Sequence, residues 1–267
     1  MLPLTVLKNS PSSSPEQLVR LFHQSQLEWA RHMGEETELD FGRWIPAANC
    51  LLDAFLPKIK ACDVMAEMEE RSRQGGSEWN CCSLNPSLPG EQTAPLAEAL
   101  LAAGWVARPL NILHRNQRKP GARCDTADDL KIIPARASYR HYRQLMDDRA
   151  LTDVDAAVLH LDDSHLDVLL ALKEGDAVGS IGVLTSGEVG TVREWYVTPG
   201  ERHQGVGGQL LDRALEIALR GMLKHLMIGL PDSTSSASRI CRSAGFEIIG
   251  KWPSFWKDSC KCSELFA

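Results

Sequence analysis

The chain has 267 residues, 43% of them hydrophobic and 24% charged; it is longer than the usual single domain and rich enough in apolar residues for a sizeable core, which excludes both one small module and general disorder. Lys and Arg number 29 against 35 Asp and Glu, a formal net charge of -6, which argues against affinity by neutralising phosphates, so no nucleic-acid partner is expected. No stretch approaches the ~20 apolar residues of a membrane-spanning helix and Met1 to Ser14 shows no basic segment leading into an apolar run, so the expectation is a cytoplasmic protein without a membrane partner.

In chain order, a Ser-rich approach supplies an N-cap, and Leu18, Leu21, Phe22, Leu27 and Trp29 recur at helical spacing, predicting a long helix over Pro15 to Met33. Asn49 to Leu56 reads as a buried strand, with helix left open by its Leu and Ala content. Ala61 to Arg73 carries Val64, Met65 and Met68 on one helical face and stops at Gly75 and Gly76. Glu78 to Leu84 reads as a strand, Pro86 to Gly90 as a turn, Ala94 to Ala103 as a helix closed by Gly104, and Trp105 to Leu113 as the next strand. The polar stretch Asn116 to Arg123, with Pro120 and Gly121, predicts a linker.

Beyond it, Leu130 to Pro134 is a short strand, and Ser138 to Asp148 a helix with Tyr139, Tyr142 and Leu145 along one side. Asp167 to Leu172, Ala177 to Leu184 and Val189 to Val197 predict an antiparallel meander with turns at Lys173 to Asp176 and Thr185 to Glu188. Thr198 to Gly208 is a Gly-rich loop opening an amphipathic helix with Leu210, Leu211, Ala214, Leu215, Ala218 and Leu219 on one face, ended by Gly221. A strand over Lys224 to Leu230, a loop over Pro231 to Ser236, a short helix over Ala237 to Ser243 stopped by Gly245, and a strand over Phe246 to Trp252 follow, before a tail containing Trp256.

The two halves share a late order of strand, long helix, strand and short helix, ending in Ala103-Gly104-Trp105 and in Ala244-Gly245-Phe246. This suggests a diverged duplication, although helix, glycine, aromatic residue and strand are common punctuation in any α/β protein. Between strand and helix the first half has only Pro57-Lys58-Ile59-Lys60, without glycine. Cysteines number eight; Cys81 and Cys82 are adjacent, Cys260 and Cys262 are one residue apart, and the rest are scattered. Reduced thiols and no metal are expected, since no two cysteines stand at the paired spacing of a zinc site.

The chemistry-bearing segment is Arg202-His203-Gln204-Gly205-Val206-Gly207-Gly208, after a strand and before a helix. Its glycines admit a ligand close to the backbone, and the free N–H groups and positive end of the helix suit a phosphate or pyrophosphate; close packing alone is the other reading. A dinucleotide fold would place such a loop in the first turn of a parallel unit with an acidic residue ending the next strand. Here a meander precedes the loop, and Asp232 after Pro231 matches that acidic position only weakly.

Val197-x-Pro199-x-x-Arg202-x-x-Gly205-x-Gly207, with Ala237, Gly245 and Phe246 downstream, resembles the GCN5-related N-acetyltransferase (GNAT) superfamily over roughly residues 120 to 267. Residues 1 to 119 look like a degenerate second copy without the phosphate loop, similar in architecture to tandem mycothiol synthase-like acetyltransferases. The resemblance implies a mixed α/β fold, a mainly antiparallel sheet with flanking helices, in tandem. It implies acetyl-CoA as cosubstrate, with the backbone of Trp195, Tyr196 and Val197 along the pantetheine arm, and Arg202, His203, Gln204, Gly205, Val206, Gly207 and Gly208 at the pyrophosphate. The N–H of Val197 would polarise the thioester carbonyl. Transfer needs a neutral amine, hence a base, and Glu194 is the candidate; the alternative is a solvated carboxylate paired with Arg193 or Lys224. Where the family commonly has a Tyr as proton donor this chain has Cys241, which is either a thiol donor or a small buried residue, and Tyr196 is a possible substitute. The expected activity is direct acetyl transfer to a primary amine of a small molecule or protein, in a ternary complex, by a monomer or homodimer. The alternative is a non-catalytic CoA-binding regulatory module.

Overall fold

The computed structural model describes residues 13–31, 35–45, 50–56, 60–75, 81–116, 129–148, 160–231 and 235–257. The expected linker after Asn116, the stretch from Pro57 to Ile59, Asp232, Cys260 and Cys262 lie outside the described residues. Helix α1 (Pro15–Ala30) opens with a capping box, in which the Ser14 side chain accepts from the Gln17 N–H and the Gln17 side chain accepts from the Ser14 N–H. There follow β1 (Thr37–Leu39), β2 (Gly42–Ile45), β3 (Cys50–Ala54), α2 (Ala61–Gly75), β4 (Cys81–Leu84), α3 (Gly90–Ala102), β5 (Val106–Ala107) and β6 (Leu110–Asn116). The rest is β7 (Leu130–Pro134), α4 (Tyr139–Asp148), β8 (Leu166–Lys173), β9 (Asp176–Ser186), β10 (Val189–Val197), α5 (Val206–Arg220), β11 (His225–Leu230), α6 (Ser236–Ser243), β12 (Glu247–Trp252) and β13 (Ser254–Trp256).

The strands form two sheets, ordered β1-β2-β3-β4-β13-β5 and β12-β6-β11-β10-β9-β8-β7. Both are mainly antiparallel, and each holds one parallel pair, β3 with β4 and β10 with β11, bridged by α2 and α5 respectively. This is the mixed α/β arrangement that the sequence predicts, and the meander β8-β9-β10 is present with its two turns.

The halves also end their last helix in the same way. Gly104 and Gly245 take φ of +84° and +87°. The Trp105 N–H then reaches the Leu100 carbonyl at 3.0 Å and the Phe246 N–H the Cys241 carbonyl at 2.9 Å, satisfying carbonyls that the helix leaves open. A residue with a side chain would be strained at either glycine.

The strand expected over Trp105 to Leu113 is two strands in different sheets. Pro109 has no N–H for a ladder and ends the first, and β6 crosses to lie between β11 and β12. The tail around Trp256 is also a strand: after Pro253, β13 crosses the other way to lie between β4 and β5. Each sheet therefore takes a strand from the far side of residue 119, where the sequence reading divides the chain. The crossings touch each other. The Arg108 N–H donates to the Ser254 carbonyl at 2.8 Å, the Ser254 hydroxyl donates to the Arg108 carbonyl, and Trp252 Nε1 donates to the Leu84 carbonyl at 3.0 Å. The β1–β2 hairpin, turning on Asp40 and Phe41, has no counterpart in the sequence reading.

Helix α1 lies between the sheets. Its Leu18 and Phe22 share one apolar cluster with Ile45, Cys50 and Trp256 of the first sheet and with Ile112, Met227 and Trp252 of the second. The other faces are covered by α2 and α3 on the first sheet and by α5 and α6 on the second. Among the described residues, no helix is long and apolar enough to cross a membrane.

Candidate functional site

The site is built where β10 and β11 part. Val189, Gly190 and Thr191 pair in parallel with His225, Leu226 and Met227, and the pairing ends there. Farther on, β10 stays with β9, Val197 facing Gly179, while β11 stays with β6, Leu230 facing Asn111. The strands diverge, leaving the β10 edge toward Val197 free of a ladder partner on that side among the described residues. In the first sheet the corresponding strands stay together, with Ala54 opposite Leu84 and the Asn85 N–H donating to the Ala54 carbonyl at 3.1 Å.

The same stretch of β10 carries a bulge. Arg193 faces Gly182 and Tyr196 faces Ser180, so one extra residue is accommodated between them. Glu194 takes φ of +50°, and its carbonyl accepts from the Ser180 hydroxyl at 3.1 Å. Bulges re-aim side chains, and here Glu194 meets α4 while Trp195 meets α5. The Tyr142 hydroxyl donates to Glu194 Oε2 at 2.6 Å, and Trp195 Nε1 donates to the Gly207 carbonyl at 3.2 Å.

Of the two bases for the alternative reading of Glu194, Lys224 pairs with Glu188 at 2.5 Å, and Arg193 donates to Gln26 Oε1 and lies 5.2 Å from the Trp29 ring centre. Arg193 is buried, and burial pulls its guanidinium down to about 9 against the opposing charge of Glu194. It thus remains a cation at neutral pH, anchoring β10 to α1 beside the Thr191 to Ser25 hydrogen bond of 2.8 Å.

Past β10, a 3₁₀ turn at Pro199–Glu201 leads to a loop held from two sides. Arg202 Nε donates to the Val197 carbonyl at 3.0 Å and its guanidinium lies 6.0 Å from the Tyr196 ring centre; Lys173 Nζ reaches Glu201 at 2.7 Å and Gln204 at 2.9 Å. His203 and Gly205 take φ of +66° and +86°. Gly205 caps α5 without a side-chain hydrogen bond, and the first helical bond is from the Gln209 N–H to the Gly205 carbonyl. The N–H groups of Val206, Gly207 and Gly208 are therefore left for an acceptor from outside, at the positive end of the helix.

The structure thus brings Trp195, Tyr196, Val197, Arg202, His203, Gln204, Gly205, Val206, Gly207 and Gly208 to one end of the second sheet, with Glu194 on the adjoining bulge. Cys241 is elsewhere: it is buried in the core under α6, and burial pushes its thiol up to about 12. The sequence reading placed Tyr142 along one side of its helix with Tyr139 and Leu145, and gave it no part in the site. The signal there is that a fully buried Tyr, unlike a Phe, carries a hydroxyl that requires a partner. Among the described residues no cluster of His, Cys, Asp and Glu could hold a metal ion.

The sequence model of the acetyltransferase (GNAT) family matches residues 131–246. No curated protein sequence matches the chain. Among solved structures, the chain is similar to a GCN5-related N-acetyltransferase from Kribbella flavida, at 15% identity and TM-score 0.59, over 92% of this chain and 98% of that one. It is also similar to a tandem GNAT protein from the clavulanic acid biosynthesis pathway, at 15% identity and TM-score 0.54, over 78% of this chain and 74% of that one. A third, a GCN5-related N-acetyltransferase from Sphaerobacter thermophilus, has 12% identity and TM-score 0.56 over 77% and 71%. At these identities the likeness is one of fold, and it extends across both sheets. The parted strands and the open helix start fall inside residues 131–246, the segment that matches the acetyltransferase (GNAT) family, and the fold of the whole chain, earlier part included, is similar to that of a tandem GNAT protein.

Proposed function

We propose that the chain is an acetyl-CoA-dependent N-acetyltransferase that passes an acetyl group directly to a primary amine in a ternary complex. The observation that carries this reading is the continuity between the unpaired β10 edge and the uncapped start of α5. An extended pantetheine arm can hydrogen-bond along the first, and a pyrophosphate can accept from the N–H groups of the second. The guanidinium of Arg202 and the side chains of His203 and Gln204 border that start. The thioester would then lie where the strands part, its carbonyl within reach of the Val197 N–H as oxygen charge develops.

For the acceptor, Glu194 is the base: it takes a proton from the ammonium, directly or through water, so that the neutral amine attacks the thioester carbon. The tetrahedral intermediate gives up the extra proton on its nitrogen to solvent and collapses with cleavage of the C–S bond, and the departing thiolate takes a proton from Tyr196 or solvent. Cys241 is a poor candidate for that step, because it lies in the core and its thiol holds its proton up to about 12. Among the described residues the first half has no matching place for a thioester, since β3 and β4 remain paired where β10 and β11 part.

Calorimetry with acetyl-CoA, and release of free thiol across a panel of small amines and peptide amines, test the reading. Saturable acetyl-CoA binding with amine-dependent thiol release is expected. Binding without turnover on any amine would replace it with a non-catalytic CoA-binding regulatory module, and no binding would remove both.

A further inference from the structure

Tyr142 is fully buried, in an apolar cluster that includes Leu145, Met146, Leu161 and Leu170. From there its hydroxyl donates to Glu194 Oε2 at 2.6 Å, a short hydrogen bond. Glu194 itself is half-buried, on the bulge with φ of +50°. A glutamate there has three side-chain torsions and solvent on one side, so the bulge aims its Cβ but does not fix its carboxylate. The phenol does, because its rigid ring is clamped by the core and only the hydroxyl tip reaches out. Among the described residues Glu194 Oε1 has no hydrogen-bond partner, so one oxygen is held and the other can take a proton.

The first half repeats the construction with different residues. Asp53 has φ of +59° at the bulge of β3, between Leu51 and Ala54, and pairs at 3.2 Å with His23 of α1, the helix that precedes that sheet as α4 precedes the meander. An acid on a bulge tied to a ring from the preceding helix therefore occurs in both copies. Among the described residues only the second has parted strands beside it.

We propose that Tyr142 is a positioning residue for Glu194: it holds the carboxylate in the one orientation from which the acceptor amine is deprotonated, without touching either substrate. This rests on the reading of Glu194 as the base.

The test is a double-mutant cycle of Tyr142→Phe and Glu194→Gln on the full chain, with acetyl-CoA and the amine giving the fastest thiol release. Tyr142→Phe should lower kcat about tenfold, the order expected from one hydrogen bond to a charged group, with KM for acetyl-CoA unchanged. Since Tyr142 acts through Glu194, the double variant should be no slower than Glu194→Gln alone. Additive losses, or a wild-type kcat for Tyr142→Phe alongside a slow Glu194→Gln, overturn the positioning role and leave the base reading in place. A wild-type rate for Glu194→Gln, or no turnover in the parent protein, overturns the base reading and this role with it. If Tyr142→Phe does not fold, Glu194→Asp tests the same contact from the exposed side, because it keeps the acid and draws it back from the phenol. A comparable drop in kcat is expected, and full activity overturns the proposal.

Discussion

At Cys241 and Gly207, two residues singled out by their place in a motif, the surroundings decide opposite outcomes. Cys241 has no exposed surface and its thiol is pushed up to about 12, so it serves as a small apolar residue beneath Ala244 and Phe246. Gly207 lies in the first turn of α5, half-exposed, where an added Cβ would stand 3.6 Å from the Trp195 ring and 3.7 Å from Val197. Those are ordinary contacts, so a methyl group fits and an indole does not. Gly207→Ala should retain acetyl-CoA affinity within about threefold, a change well under the ~1.4 kcal/mol of a tenfold loss. Gly207→Trp should abolish binding in the same calorimetric titration while the protein keeps its circular dichroism. Equal affinity of the tryptophan variant would show that the glycines serve packing alone.

Strand β6 reaches the second sheet with a histidine pair at its β11 border: His114 Nε2 and His225 Nδ1 are 3.0 Å apart. One ring must donate and the other accept, so the contact needs an unprotonated nitrogen. Burial lowers His225 from its ordinary value of 6.5, with Lys224 acting in the same sense and Glu188 against it. A depressed folded value means that the unfolded chain binds more protons between the two values. The contribution to stability is therefore complete above 6.5 and is lost as pH falls through the lowered value. Urea midpoints for the wild type should fall on going from about pH 7.5 to about pH 5.5. The fall should be smaller in His225→Gln; an identical fall in both would exclude this pair as a cause. None of this was legible in the sequence, because the partners are brought together only by the crossing of β6. The long elements were legible: α1, the meander and α5 each carry enough periods of their pattern to define a face. The three-residue β1, the four-residue β2 and the three-residue β13 were not, being too short for alternation to register. The Pro109 break was visible as a residue but not as a change of sheet, since a proline signals an end and not a destination. The loop and helix start from Arg202 to Gly208 were legible as one unit because they are contiguous in sequence. The Tyr142–Glu194 contact, spanning 52 positions, was not.

For the whole molecule, the exchange of β6 and β13 means that a cut in sequence is not a cut in structure. Residues 120 to 267 alone would lack β6, the strand that hydrogen-bonds to both β11 and β12 and supplies buried Leu110, Ile112 and Leu113. They would also lack α1, whose Phe22, Gln26 and Trp29 pack against the second sheet and against Arg193. Residues 1 to 119 alone would lack β13, the strand between β4 and β5, with buried Phe255 and Trp256. Removing a central strand strands two rows of backbone N–H and C=O groups on its neighbours, and each burial lost costs about 1.5–3 kcal/mol per large side chain. Against a net stability of about 5–15 kcal/mol for a typical protein, neither piece can remain folded. Expressed separately, both pieces should be insoluble or lack cooperative melting. Expressed together as two chains, broken near residue 119 in the stretch between β6 and β7, they should co-purify one to one and bind acetyl-CoA as the intact protein does, because the exchanged strands need no covalent link to pair. If the 120–267 piece alone melts cooperatively and binds acetyl-CoA at full affinity, then the second sheet closes without β6, and the first half is an appendage and not part of the fold that makes the site.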